Sequence, residues 1–136
     1  MVIQINFKSG MPAYLQVVDQ IKAAAAAGAL RAGEALPSIR PLAEELRLNR
    51  NTVAKAYSEL ESQGIIETLP GKGCFLKENN SPLKKTARIE LLTQEIDAAI
   101  VQAHHLQVDD EEFVELVQER LRNFASQNQR NQKEKP

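Results

Sequence analysis

The sequence predicts a mainly α-helical chain that carries one small β-hairpin. Three observations predict it. Apolar residues recur at helical spacing through most of the chain. Residues 65–76 break that period and flank a Pro-Gly-Lys-Gly turn. The stretch 36–57, LPSIRPLAEELRLNRNTVAKAY, reads as two short helices joined by a tight turn.

From the N-terminus, VIQINF (2–7) alternates apolar and polar residues, which fits a short strand or an extended arm. Gly10 and Pro12 break it. A helix is expected from about Pro12 to Ala27, with Tyr14, Val17, Val18, Ile21 and Ala25 as its apolar stripe. Pro12 suits the start of that helix and Gly28 its C-terminal cap. ALRAGEALP (29–37) reads as a turn-rich connector, with Gly33 in an unusual backbone conformation.

In the two-helix stretch, Ser38 is expected to cap the first helix with its hydroxyl. Pro41 falls in the first turn, where a missing N–H is tolerated. Leu42, Ala43 and Leu46 form one buried face, Leu48 packs in the turn, and Asn49 caps the second helix. Val53, Ala56, Tyr57 and Leu60 give the second helix its buried side. Arg50, Asn51, Thr52 and Lys55 point elsewhere. A helix that buries one stripe and presents such residues from its first turns suits a DNA major groove.

After Gly64, a second C-cap signal, come the strands IIETL (65–69) and CFL (74–76) with the turn 70–73 between them. Gly71 and Gly73 let backbone approach a phosphate or a minor groove, and Lys72 puts a cation at the tip. Helices followed by such a hairpin make a winged helix–turn–helix.

ENNSPLKK (78–85) reads as a polar linker. Two further helices follow. Residues 86–106 carry Ile89, Leu92, Ile96, Ala99, Ile100, Ala103 and Leu106 on one face. Residues 109–125 carry Phe113, Leu116, Val117, Leu121 and Phe124, with Asp109 as N-cap and Asp110, Glu111 and Glu112 on the favourable end of the helix dipole. So small a helical hairpin buries too little surface to fold alone. Its stripe needs cover, and a second copy is the better choice, because helix–turn–helix readers bind paired half-sites as dimers. The expected dimerisation residues are Ile89, Leu92, Ile96, Ile100, Phe113, Leu116, Val117 and Leu121. The tail from Ser126 has no apolar residue and is expected to be disordered. The expected organisation is therefore a winged helix–turn–helix over 1–78, a helical dimerisation hairpin over 79–126 and a disordered tail over 127–136.

Composition narrows the function. No apolar run approaches the roughly 20 residues of a membrane span, and the N-terminus lacks the pattern of a signal peptide. The lone Cys74 suits a reducing cytosol, so a cytoplasmic location is expected. Net charge is −1, so DNA affinity has to come from local clustering of cations. There is no phosphate-binding Gly-rich loop, nucleophile elbow or zinc motif, which argues against an enzyme and against a cofactor. His104 and His105 are adjacent and face different directions on a helix, so they cannot both ligate one ion from one helix; no metal is expected, the alternative being a dimer-interface site with Asp109 and Asp110. Cys74 beside Phe75 reads as core rather than redox sensor.

The chain resembles the GntR family of bacterial transcription regulators. Pro12-Ala-Tyr14-Leu-Gln16, Gly28-Ala-Leu30, Gly33, LPSIRPLAEEL (36–46), NRNTVAKAYSELESQGIIE (49–67) and GKGCF (71–75) carry the resemblance across most of 11–77. The short helical C-terminal part looks like the YtrA subgroup, whose members are typically dimeric repressors, often tied to transport operons. The resemblance implies DNA contacts from Ser38, Arg40, Asn49, Arg50, Asn51, Thr52, Lys55, Gly71 and Lys72. Family members commonly have Ser where Asn49 stands, which bears on base preference there.

Arg50 is best placed for a bidentate bond to guanine, and Asn51 for an adenine edge. Thr52 and Ser38 suit phosphates. Arg40 is expected on phosphate or a base edge, or in an ion pair with Glu44. Tyr57 is mostly core, with its hydroxyl in reach of backbone phosphate. The expected partners are double-stranded operator DNA and a second copy of the chain. A small-molecule effector, where one exists, has to shift the angle between two DNA-binding domains through residues 78–88. The competing reading is a winged protein-interaction module dimerised by its C-terminal helices.

Overall fold

The computed structural model describes residues 1–78 and 85–134. Most of the expected 78–85 linker, and residues 135–136 of the expected tail, lie outside them. Five helices and one hairpin follow in order: α1 (Ala13–Ala26), α2 (Ile39–Leu46), α3 (Arg50–Ser62), β1 (Ile66–Leu69), β2 (Gly73–Leu76), α4 (Lys85–His105) and α5 (Asp110–Glu134). The chain forms two compact units, residues 1–80 with 127–136, and residues 81–126.

The first unit is a winged helix–turn–helix. Val17, Val18 and Ile21 of α1, Leu42, Ala43 and Leu46 of α2, and Val53, Ala56, Tyr57 and Leu60 of α3 form its core with Ile66 and Leu76 of the hairpin. The expected apolar stripes are thus the buried ones. Leu48 packs against this core from the turn between α2 and α3.

Helix ends follow one pattern. The Gly28 N–H reaches the Ala25 carbonyl, and the Ala29 N–H reaches Ala24. The Gly64 and Ile65 amides do the same with Glu61 and Leu60. Both glycines have positive φ, as this double-bonded terminus requires. At the end of α2 the same bonds form around Arg47, which takes φ 58° without being glycine. Ser38 does occupy the N-cap position of α2, but its hydroxyl makes no capping bond there. The capping role expected of that side chain is not filled.

The N-terminal arm is extended rather than a strand. The side chains of Gln16 and Gln20, one turn apart on α1, each bond its backbone twice. Gln16 Oε1 accepts from the Asn6 N–H at 2.9 Å while its Nε2 donates to the Asn6 carbonyl at 3.1 Å. Gln20 treats Gln4 in the same way, at 2.9 and 2.7 Å. Each carboxamide thus does what a neighbouring peptide group would do in a sheet, and Ile3 and Ile5 pack onto the core.

β1 and β2 pair antiparallel, with Ile66 opposite Leu76 and Leu69 opposite Gly73. The connector expected at 29–37 is more than a turn. The Gly33 and Leu36 amides donate to the Leu76 and Cys74 carbonyls, and the Leu76 N–H donates back to Glu34. This segment lies along β2, joined by these bonds and an isolated bridge between Ala35 and Phe75, without forming a strand. Its sequence lacks the alternation that marks a strand, so periodicity misses it.

In the second unit, α4 and α5 are joined by a tight turn at Leu106–Asp109. Asp109 caps α5 by accepting from the Glu112 N–H at 2.9 Å. That bond holds its carboxyl below the usual carboxylate range. Helix α4 contributes no buried residue.

The expectation of a disordered tail is not met in the described residues. Helix α5 continues to Glu134, and its last turns belong to the first unit. Composition counts apolar side chains, whereas these turns are held by polar ones.

Candidate nucleic-acid interface

Asn49 sets the geometry of the start of α3. Its backbone is extended, and its Oδ1 accepts from the Asn51 N–H at 2.8 Å. That cap starts the helix at Arg50 and turns the first side chains outward. Arg50 and Asn51 are exposed, and Thr52 is half-buried. Two residues further along the chain from Asn51, Val53 is fully enclosed, which anchors the first turn to the core.

An open cleft runs between α2 and the start of α3. Arg40, Ala43, Glu44, Leu48, Asn49 and Arg50 line it. The structure therefore brings Arg40 and Arg50 to one place, although nine residues lie between them. Glu44 shares that cleft. It pairs with Arg40 at 3.6 Å, as the i,i+4 spacing allows, and both side chains are largely exposed. A pair so exposed contributes about 0–1 kcal/mol. Phosphate can compete for Arg40 at little cost. Ser38 is exposed at the entry to α2, with its hydroxyl free of a capping bond.

Lys55 is exposed, but its ammonium is engaged. It sits 4.1 Å from the centre of the Tyr14 ring on α1. Such a contact is worth roughly 0.5–1 kcal/mol at an exposed site. Nothing in the sequence signals this pairing, since the two residues lie on different helices. Tyr57 is core, as expected. Its hydroxyl donates to the Pro37 carbonyl at 2.6 Å, so it faces inward rather than toward a phosphate.

At the wing, Leu69 and Gly73 close a three-residue loop, and the Lys72 N–H donates to the Leu69 carbonyl at 2.9 Å. Gly71 has φ 76° and Gly73 φ 109°. Both torsions favour glycine, and a side chain at either position would strain the tip. Lys72 is exposed there. Gly71 and Lys72 are not among the residues lining the α2–α3 cleft. The Thr68 hydroxyl bonds the Glu61 carboxylate, which ties β1 to the end of α3. Among the described residues no group of three His, Cys, Asp or Glu side chains is placed to hold a metal. The His104 and His105 rings meet edge to face, 5.9 Å apart. No helix among the described residues is long and apolar enough to cross a membrane.

The family profile "Bacterial regulatory proteins, gntR family" matches residues 13–76. The HTH-type transcriptional repressor YtrA of Bacillus subtilis is 38% identical over 117 residues, which is 86% of this chain and 90% of that protein. The chain belongs to the GntR family. A crystal structure described as a transcriptional antiterminator from Listeria monocytogenes EGD-e superposes with a TM-score of 0.79 at 35% identity, covering 91% of this chain and 92% of that one. The DNA-binding domain of AraR, crystallised with operator ORX1, matches with a TM-score of 0.51 at 25% identity, over 56% of this chain and 98% of that one. This GntR-family chain is a sequence-specific DNA-binding transcriptional regulator of the YtrA type.

Proposed function

We propose that the protein acts in the cytoplasm as a homodimeric repressor that binds operator DNA and thereby excludes polymerase. The observation that carries this reading is the start of α3. There a capped first turn presents exposed Arg50 and Asn51, and Arg40 flanks them across one cleft. Arg50 reads a guanine, and Asn51 an adenine edge. Asn49, Thr52, Ser38 and Arg40 hold phosphates and fix the register. Lys55 contributes charge from its seat on Tyr14, and Gly71 and Lys72 of the wing meet phosphate or the minor groove.

Dimerisation rests on uncovered apolar surface. Ile89, Leu92, Ile96, Ile100, Leu116, Val117 and Leu121 range from 42% to 66% exposed, and Phe113 is half-buried. A soluble monomer seldom leaves so many large apolar side chains together in water. A second copy covers them and presents two recognition helices to two half-sites.

Genome-wide mapping of DNA bound by the full chain tests the reading, alongside an Ile96→Glu, Ile100→Glu variant. The wild-type chain should sediment as a dimer and return one motif with two related half-sites. The variant should sediment as a monomer and lose the enrichment. Recovery of no motif by a folded dimer would instead favour a protein-interaction module.

A further inference from the structure

Two helix C-termini cap each other within the first unit. The last carbonyls of any α-helix lack partners within the helix. At the end of α1, Asn131 Nδ2 donates to the Ala27 carbonyl at 2.8 Å, and Asn128 Nδ2 donates to the Ala26 carbonyl at 3.3 Å. In return, the Arg31 guanidinium donates to the Asn131 carbonyl at 2.9 Å, one of the last four of α5. The ends of two helices both carry partial negative charge, so bringing them together is unfavourable without a cation. Arg31 supplies it. A Cβ built on Gly28 would stand 2.5 Å from Asn128 Oδ1, so a side chain there would displace that carboxamide.

Arg31 opens the connector that runs along β2 and leads to Pro37 and α2. Its own N–H is held by Glu34 Oε1 at 3.2 Å. Two residues further on, the Gly33 N–H bonds Leu76 at 2.8 Å. A chain of short contacts thus links the end of α5 to the connector segment that lies along β2.

We propose that residues Asn128–Glu134 are a latch on the DNA-binding domain, which steadies the connector and the wing and whose release lowers operator affinity. The affinity part rests on the operator-binding reading above. The latch itself does not.

The test uses the full chain with Asn131→Asp, which replaces a donor with a negative charge beside a helix C-terminus. Arg31→Gln removes the cation independently. Hydrogen exchange in the wild type should show protected amides over 129–134. In both variants that protection should fall by about tenfold, and the Gly33 and Leu36 amides should lose about threefold. Affinity for the mapped operator should fall by about threefold to tenfold while the sedimenting species is unchanged. Three results would each overturn the latch: unprotected 129–134 amides in the wild type, unchanged Gly33 and Leu36 exchange in both variants, or lost protection with unaltered affinity for an operator the wild type binds. A wild type that binds no operator would sink the repressor reading, while the exchange measurements still decide the latch.

Discussion

The Tyr57 hydroxyl donates a 2.6 Å hydrogen bond to the Pro37 carbonyl, and so ties the recognition helix to the loop that feeds α2. The ring is 4% exposed and belongs to the core. One side chain therefore ties α3 to the Ser38 end of α2 from inside the core.

Tyr57→Phe keeps the ring and removes the bond. Unfolding in urea should show a loss of about 0.5–1.5 kcal/mol. Burial, with Cys74 acting the same way, pushes the phenol well above its ordinary value of about 10. A raised folded-state value means that the contribution is whole below about pH 10 and is lost as pH rises further. The alkaline fall in stability should be shallower in Tyr57→Phe than in the wild type. Equal slopes would show that another group controls it.

In the proposed interface, Arg50 is the residue expected to carry sequence preference. Arg50→Ala and Arg50→Lys should both lose discrimination at one guanine, worth about 1–3 kcal/mol, since Lys lacks the planar fork. Non-specific affinity should survive better in the Lys variant. Both should fold, because the side chain is exposed. Site selection that returns the wild-type consensus from Arg50→Ala would reduce Arg50 to a phosphate contact.

In the proposed interface, Lys72 is expected to carry affinity without preference. Lys72→Ala should weaken binding to every sequence by a similar factor. The slope of log K against log salt should become shallower by about one counterion. An unchanged slope removes Lys72 from the interface.

Arg47 occupies left-handed backbone at φ 58°, where a non-glycine residue costs roughly 1–2 kcal/mol. Glycine relieves that cost and loses part of the gain to its freer unfolded chain. Arg47→Gly should thus be neutral to about 1 kcal/mol more stable in urea, and Arg47→Val should be clearly less stable. A marked loss in the glycine variant would mean that the Arg47 side chain makes a stabilising contact of its own.

The sequence by itself determined the fold class and most of its elements. Helical periodicity located the core positions of α1, α2 and α3, because burying one stripe of a helix leaves a spacing that can be counted. Asn49 as a cap, Gly28 and Gly64 as helix stops and the Pro-Gly-Lys-Gly turn are local chemistry, and each is found where a neighbour or two suffices to define it. The tertiary structure decided what depends on residues distant along the chain. Ser38 has a capping residue type, yet its hydroxyl makes no cap. Lys55 lies over Tyr14, Tyr57 bonds Pro37, and residues 33–36 join β2, all through contacts between elements whose sequences carry no mark of each other. The end of α5 is the clearest case. Its composition has no apolar residue and reads as disorder, because composition measures what a segment can bury. What holds it is a set of hydrogen bonds to the unpaired carbonyls of α1, and those carbonyls come within reach only after the chain has folded.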